Sequence, residues 1–213
     1  MWGRRSHGGV GADVSASDAA MTLIGRRVVL RPIAPSDYPQ WYEVRARCAE
    51  WLLKWEPLAP EGTNPLLDGA AFTARCGARA RESQMGTGYG FGIFVDGAFA
   101  GEINVSSVHR GPFQSAYVGY WIDQRLAGMG YMPESVVQVL RFAFETLGLH
   151  RIEIAIIPRN AASRRVVDKL GLRAEGVALR YLEINGVWED HLRHGITSEE
   201  WFARRDELTA LWG

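Results

Sequence analysis

The chain has 213 residues, 24 basic side chains against 24 acidic ones, and 47% apolar residues. That length suits one domain with a substantial core. The zero formal net charge gives no electrostatic ground for nucleic acid as a direct partner, and no apolar run approaches the roughly 20 residues that span a bilayer.

Residues 1–21 are rich in Gly, Ser, Ala and Asp without periodicity. They read as a disordered extension, or as sequence upstream of a true start at Met21, leaving 22–213 as a single domain. Val28-Val29-Leu30 is a short strand. Ser36 and Asp37 then offer cap oxygens to a helix carrying Tyr38, Trp41, Tyr42 and Val44. Residues 51–65 are loop-like, with Trp51 and Trp55 among Pro57, Pro60 and Pro65. A second helix is predicted from about Asn64 to Gln84. Cys48 and Cys76 form no disulfide framework and read as reduced thiols in a cytoplasmic protein.

Tyr89–Val95 and Ala98–Val108 flank Asp96-Gly97, a two-residue hairpin signal. Ala116–Ile122 is apolar almost throughout, as expected of a central strand buried on both faces. A helix with Pro133 near its start follows, with Val137, Leu140, Phe144 and Leu147 as its apolar stripe and Gly148 as its stop. His150–Ile157 is a strand with Ile152, Ile154 and Ile156 on one side. Asn160 caps a short helix ended by Gly171, and a last hairpin turns at Asn185-Gly186. The order β-α-α-β-β-β-α-β-α-β-β implies a mixed α/β fold, a sheet with helices on its faces.

The turn Asp123-Gln124-Arg125-Leu126-Ala127-Gly128-Met129-Gly130-Tyr131 lies between a strand and a helix start. There, orphan backbone N–H groups and the helix dipole favour an anion such as a phosphate, and glycines allow close approach. An ordinary strand-to-helix turn has the same outline. A Walker loop is excluded because no Gly-Lys-Ser/Thr follows, and a dinucleotide fingerprint is excluded because the third glycine is missing.

Several motifs in order resemble the RimJ/RimL branch of the GCN5-related N-acetyltransferases. They are Leu30-Arg31-Pro32, Gly119-Tyr120-Trp121-Ile122, Gly128-Met129-Gly130-Tyr131 with Glu134, Asn160-Ala161-Ala162-Ser163-Arg164, Lys169-Leu170-Gly171-Leu172, and Tyr181 to His191. The resemblance covers about residues 26–200. It implies a central mixed, mostly antiparallel sheet whose fourth and fifth strands splay apart, with helices on both faces. It also implies acetyl-CoA as cosubstrate, no metal, and an amine acceptor, often the N-terminal α-amino group of a ribosomal protein, in a cytoplasmic monomer or homodimer. Acylation of a small amine or lysine, transfer of succinyl, and a CoA-binding module without turnover are the alternatives.

On that resemblance, Trp121 and Ile122 border the pantetheine arm, and Arg125, Leu126, Ala127, Gly128, Met129, Gly130 and Tyr131 cradle the diphosphate. Asn160 contacts the pantetheine or holds the local turn. Ser163 hydrogen-bonds the sulfur and protonates the departing thiolate; a hydroxyl at a helix start also serves as a plain cap. Glu102 and Glu183, acting through water, are the expected proton acceptors. His191 has chemistry suited to neutral pH, but a histidine in a strand is more often a buried, hydrogen-bonded one.

Overall fold

The computed structural model describes residues 21–58 and 68–213. The expected extension, much of the Trp/Pro loop and the predicted start of the second helix at Asn64 fall outside these residues. Among the described residues, eight strands form one sheet in the order β1-β2-β3-β4-β5-β6-β8-β7. They are β1 (Leu23–Ile24), β2 (Val28–Arg31), β3 (Tyr89–Val95), β4 (Ala98–His109), β5 (Ser115–Ile122), β6 (Arg151–Ile156), β7 (Arg173–Ile184) and β8 (Val187–Thr197). Every neighbouring pair is antiparallel except β5–β6, which is parallel.

The two hairpin turns have the backbone that their residues predict. Asp96 and Gly97 have φ of 50° and 78°, and Asn185 and Gly186 have 48° and 78°. Paired left-handed residues match the right-handed twist of the strands they join. The extra strand β1 was not expected, since two residues carry no period. It pairs with β2 through Leu23 opposite Leu30.

The helices are α1 (Tyr38–Arg47), α2 (Ala49–Leu52), α3 (Gly69–Met85), α4 (Tyr131–Arg141), α5 (Ala161–Lys169) and α6 (Ser198–Trp212). The Asp68 side chain caps α3 by accepting from the Ala70 and Ala71 amides. The stripe predicted to run to Leu147 is broken after Arg141, where Phe142–Thr146 widens into a π turn. Phe142 and Phe144 remain buried there. Two apolar clusters result. Val136, Val137, Leu140, Val167 and Trp201 from α4, α5 and α6, with Leu170 just after α5, pack on one face of the sheet, against Leu30, Phe91 and Ile103. On the other face, Trp41, Val44, Phe72 and Cys76 from α1 and α3 pack on Phe94 and Phe99. Among the described residues no helix is long and apolar enough to cross a membrane.

Candidate active site

Strands β5 and β6 are the fourth and fifth strands of the sequence reading, shifted one place by β1. Their parallel pairing runs only from Ser115–Arg151 to Tyr117–Glu153. Beyond it, β5 continues for five residues paired with β4 alone, and β6 pairs with β8 alone. The sheet therefore opens into a wedge. Along Val118–Ile122, alternate N–H and C=O groups point into the gap, because an antiparallel strand turns successive residues to opposite neighbours. This corrects the expectation of a strand buried on both faces. Ala116 and Val118 are buried, but Tyr120, Trp121 and Ile122 are only half-buried. The gap is a cavity of about 560 Å³, walled by Val118–Ile122 on one side and Ile154–Ile157 on the other.

The turn that closes β5 is held from below. The Asp123 N–H donates to the Ala100 carbonyl at 2.7 Å. The Asp123 carboxylate accepts from the Arg125 amide at 3.1 Å, from the Cys48 thiol at 3.3 Å and from Arg47. Burial works against that charge, but the Arg47 and Arg125 hydrogen bonds prevail and hold Asp123 below the usual carboxylate range. A side chain at Gly101 has no room, since its Cβ falls 2.3 Å from the Trp121 carbonyl oxygen. Close approach of β4 to β5 at this point depends on that glycine.

The amides of the turn divide into two groups. Those of Arg125, Leu126, Ala127 and Met129 are used internally, by Asp123, Gln124 and Leu126. Those of Gly128, Gly130, Tyr131 and Met132 have no partner among the described residues. Gly128 and Gly130, at φ of 84° and 91°, shape the chain at the N-terminus of α4, and both line the cavity. Pro133 has no N–H to satisfy and follows them directly. The free amides thus fall in the later part of the span expected from sequence, with Met132 one residue beyond it. Of the eleven expected donor-site residues, Trp121, Ile122, Leu126, Ala127, Gly128, Gly130, Asn160 and Ser163 line the cavity, and Arg125, Met129 and Tyr131 do not. Arg125 is exposed, and Tyr131 lies beneath the Arg27 guanidinium at 4.7 Å. Positive charge at the cavity comes from Arg165 and Lys169, one turn apart on α5, which the sequence reading did not single out.

Asn160 accepts from the Ser163 amide at 3.1 Å, the expected cap of α5. The Ser163 hydroxyl faces Tyr120 across the wedge. Both carboxylates expected as proton acceptors stand elsewhere. Glu102 is 5% exposed; it accepts from Trp41 Nε1 at 2.7 Å and pairs with Arg75, so both of its oxygens are engaged. Glu183 is an exposed residue of β7. Neither lines the cavity. His191, Trp51, Trp55 and Glu56 do. Both cysteine thiols are pushed up by burial, which keeps them protonated and unreactive. No group of three or more His, Cys, Asp or Glu residues suited to a metal occurs among the described residues.

A sheet opened between parallel neighbours, with an amide-lined turn at the mouth of the opening, is the arrangement that the resemblance to the N-acetyltransferases implies. The chain belongs to the acetyltransferase (GNAT) domain family, whose model matches residues 27–173. It is 31% identical over 177 residues to the [ribosomal protein uS5]-alanine N-acetyltransferase of Escherichia coli (strain K12), covering 82% of this chain and 90% of that protein. Over 105 residues it is 45% identical to the probable N-acetyltransferase YjcK of Bacillus subtilis (strain 168), spanning 48% of this chain and 58% of that protein. Among solved structures, Mycobacterium smegmatis RimJ in complex with CoA-disulfide superposes with a TM-score of 0.79 at 32% identity, covering 86% of this chain and 88% of that one.

Proposed function

We propose that this chain transfers an acetyl group from acetyl-CoA to the N-terminal α-amino group of a protein, with a ribosomal protein as the acceptor class. The observation that carries the reading is the set of unpartnered amides at Gly128, Gly130, Tyr131 and Met132, at the mouth of an opened sheet. A diphosphate satisfies such groups, and the α4 dipole favours it. Arg165 and Lys169 supply the remaining positive charge. The uncovered backbone of Val118–Ile122 is complementary to an extended arm carrying amides of its own.

A bound thioester supplies an activated acyl carbon and a good leaving group. The chain's residues act around it. A β5 N–H near Trp121 or Ile122 donates to the developing oxyanion, a contact of a kind worth about 2.7–4 kcal/mol in a protease. Ser163 donates its hydroxyl proton to the departing sulfur. The Tyr120 phenol, pushed up by burial against the opposing Ser163 hydrogen bond, stays neutral and holds Ser163 in place. Asn160 keeps the first turn of α5 closed.

The acceptor reading is supported by the relative that acts on ribosomal protein uS5, with which this chain shares most of its length. It also agrees with the chemistry. An α-amino group has a pKa of about 7.7–8.0 against about 10.4 for lysine, so a useful fraction is neutral at pH 7. A ribosomal-protein acceptor agrees with a reaction in the cytoplasm. Thiol release measured with acetyl-CoA against N-terminal peptides, polyamines and aminoglycosides tests the assignment. Turnover of a peptide beginning with alanine, above that of the small amines, is expected. Turnover of small amines alone overturns the protein acceptor, and failure to bind acetyl-CoA overturns the reading as a whole.

A further inference from the structure

We infer that His191 is a catalytic residue that takes the proton from the acceptor amine through its Nε2. The inference rests on the acetyl transfer proposed above and adds the group that the two expected carboxylates do not supply.

Among the described residues, five ionisable side chains line the cavity: Glu56, Tyr120, Arg165, Lys169 and His191. Arginine and lysine are cationic at neutral pH and have no lone pair to offer. Tyr120 is held neutral by burial and is a donor. Glu56 is gripped at both oxygens by Arg45, at 2.5 and 2.6 Å. His191 remains. Its Nδ1 lies 3.0 Å from the Glu189 carbonyl oxygen, a group that only accepts. That contact fixes the proton of the neutral ring on Nδ1 and leaves the Nε2 lone pair free. Nε2 has no partner among the described residues, yet it is not one of their sealed-off, unpartnered polar atoms. His191 itself is 3% exposed and belongs to the lining of the cavity.

The position suits the role. Leu192, the next residue of β8, pairs with Ile156, so His191 lies just beyond the end of β6, at the open end of the wedge. Trp55 and Glu56 line the same cavity. Groups packed around the ring are already committed. Tyr181 of β7 meets it edge-on at 5.5 Å and, pushed up to about 12 by burial first and by its Tyr117 contact, stays protonated. Glu189 pairs with Arg159, Asp190 accepts from the Arg180 amide at 2.7 Å, and Glu153 pairs with Arg193. No free carboxylate is left among them to compete for the proton.

In the step itself, the amine nitrogen attacks the thioester carbonyl carbon and forms the C–N bond. The proton leaves nitrogen for His191 Nε2, the C–S bond breaks, and the sulfur departs as thiolate to be protonated by Ser163, which regains a proton from water. Imidazolium then releases its proton to water.

The test compares the wild-type chain with His191→Gln and His191→Ala, using acetyl-CoA and the best acceptor of the panel. Proton transfer by a positioned side chain is worth about 10²–10⁴-fold, so kcat/KM is expected to fall at least about 100-fold in both variants. Acetyl-CoA affinity should stay within about twofold, which also shows that each variant is folded. The acid limb of the wild-type pH–rate profile should be lost, and added imidazole should restore part of the His191→Ala rate. Variants within about threefold of wild type with an unchanged pH profile overturn the inference. So does an activity loss that imidazole does not relieve in a variant with full acetyl-CoA affinity. If both variants lose acetyl-CoA binding, His191 is a structural residue and the inference is equally overturned. Wild-type protein that binds acetyl-CoA but acetylates nothing in the panel removes the reading on which the inference stands.

Discussion

The Ser163 hydroxyl donates to the Tyr120 hydroxyl at 3.0 Å, and Tyr120 in turn donates to the Ser163 carbonyl at 3.3 Å. This pair of contacts ties the first turn of α5 to β5 where β5 and β6 have parted. It bridges the gap in the sheet while leaving it open. When the Ser163 hydroxyl rotates from Tyr120 to a departing sulfur, the neutral phenol can turn to donate to Ser163 Oγ in its place.

Ser163→Ala and Tyr120→Phe are therefore expected to lower kcat, each by about 10- to 100-fold, at the weak end of the usual range for positioned proton donors. Acetyl-CoA affinity should change little. The double variant should be hardly slower than either single one, because the two hydroxyls act as a unit. Steady-state kinetics on the three variants check this.

Gly128 and Gly101 separate two ways of damaging the donor site. Around Gly128 a Cβ meets nothing within 4 Å, but its φ of 84° disfavours any β-branched residue. Gly128→Val should weaken acetyl-CoA binding about tenfold or more, since αL strain of this kind costs about 1–3 kcal/mol. At Gly101 the clash is with backbone, so Gly101→Ala should lower stability by about 1–3 kcal/mol as β4 and β5 are forced apart. Calorimetric titration and denaturant unfolding distinguish the two.

Lys169→Glu and Arg165→Glu reverse charges that line the cavity. Each should weaken acetyl-CoA binding, the pair more than either alone, and the loss should shrink as ionic strength rises. Titration at two salt concentrations is sufficient.

Glu134 is 1% exposed and accepts from the Arg27 and Val28 amides, at 2.5 and 3.1 Å, as well as from Arg27 Nε at 2.9 Å. Replacing it with Ala strands two backbone donors, each at a cost of about 1–3 kcal/mol. The start of β2 and the outer side of the glycine turn should loosen together, because Arg27 also donates to the Met129 carbonyl at 3.1 Å. Chemical denaturation measures the loss.

Glu175 carries a pH dependence unrelated to the active site. Its hydrogen bond from Arg151, and then that from Arg173, hold it at about 2 against an unperturbed 4.5. A carboxylate depressed in the folded state stabilises the protein above the unfolded value. That contribution disappears as pH falls from 4.5 towards 2. Glu175→Gln should lower Tm at neutral pH and flatten the Tm profile on the acid side. Thermal unfolding across pH 2–7 reads both effects.

Local chemistry made much of this molecule legible in its sequence. Asp96-Gly97 and Asn185-Gly186 specify their turns by backbone preference alone, and Asn160 specifies its cap. The glycine turn could be located too, but not which of its amides stay free. That depends on Asp123, Gln124 and Leu126 claiming the others. The surroundings of Glu102 were not legible because its partners, Trp41 and Arg75, lie 61 and 27 residues away and reach it only through the packing of α1 and α3 on β4. For His191 the inference rests on a main-chain carbonyl two residues back and a place in the cavity lining, neither of which a pattern of residue types records. Arg165 and Lys169 carried a weak signal, two cations at helical spacing on the helix that Asn160 caps.

A crystal structure of the chain with acetyl-CoA tests the central claim most directly. The diphosphate should sit on the amides of Gly128, Gly130, Tyr131 and Met132, with the thioester between β5 and β6 and its sulfur within hydrogen-bond reach of Ser163. A ligand bound elsewhere, or a wedge closed by protein side chains while those amides stay bare, would contradict it.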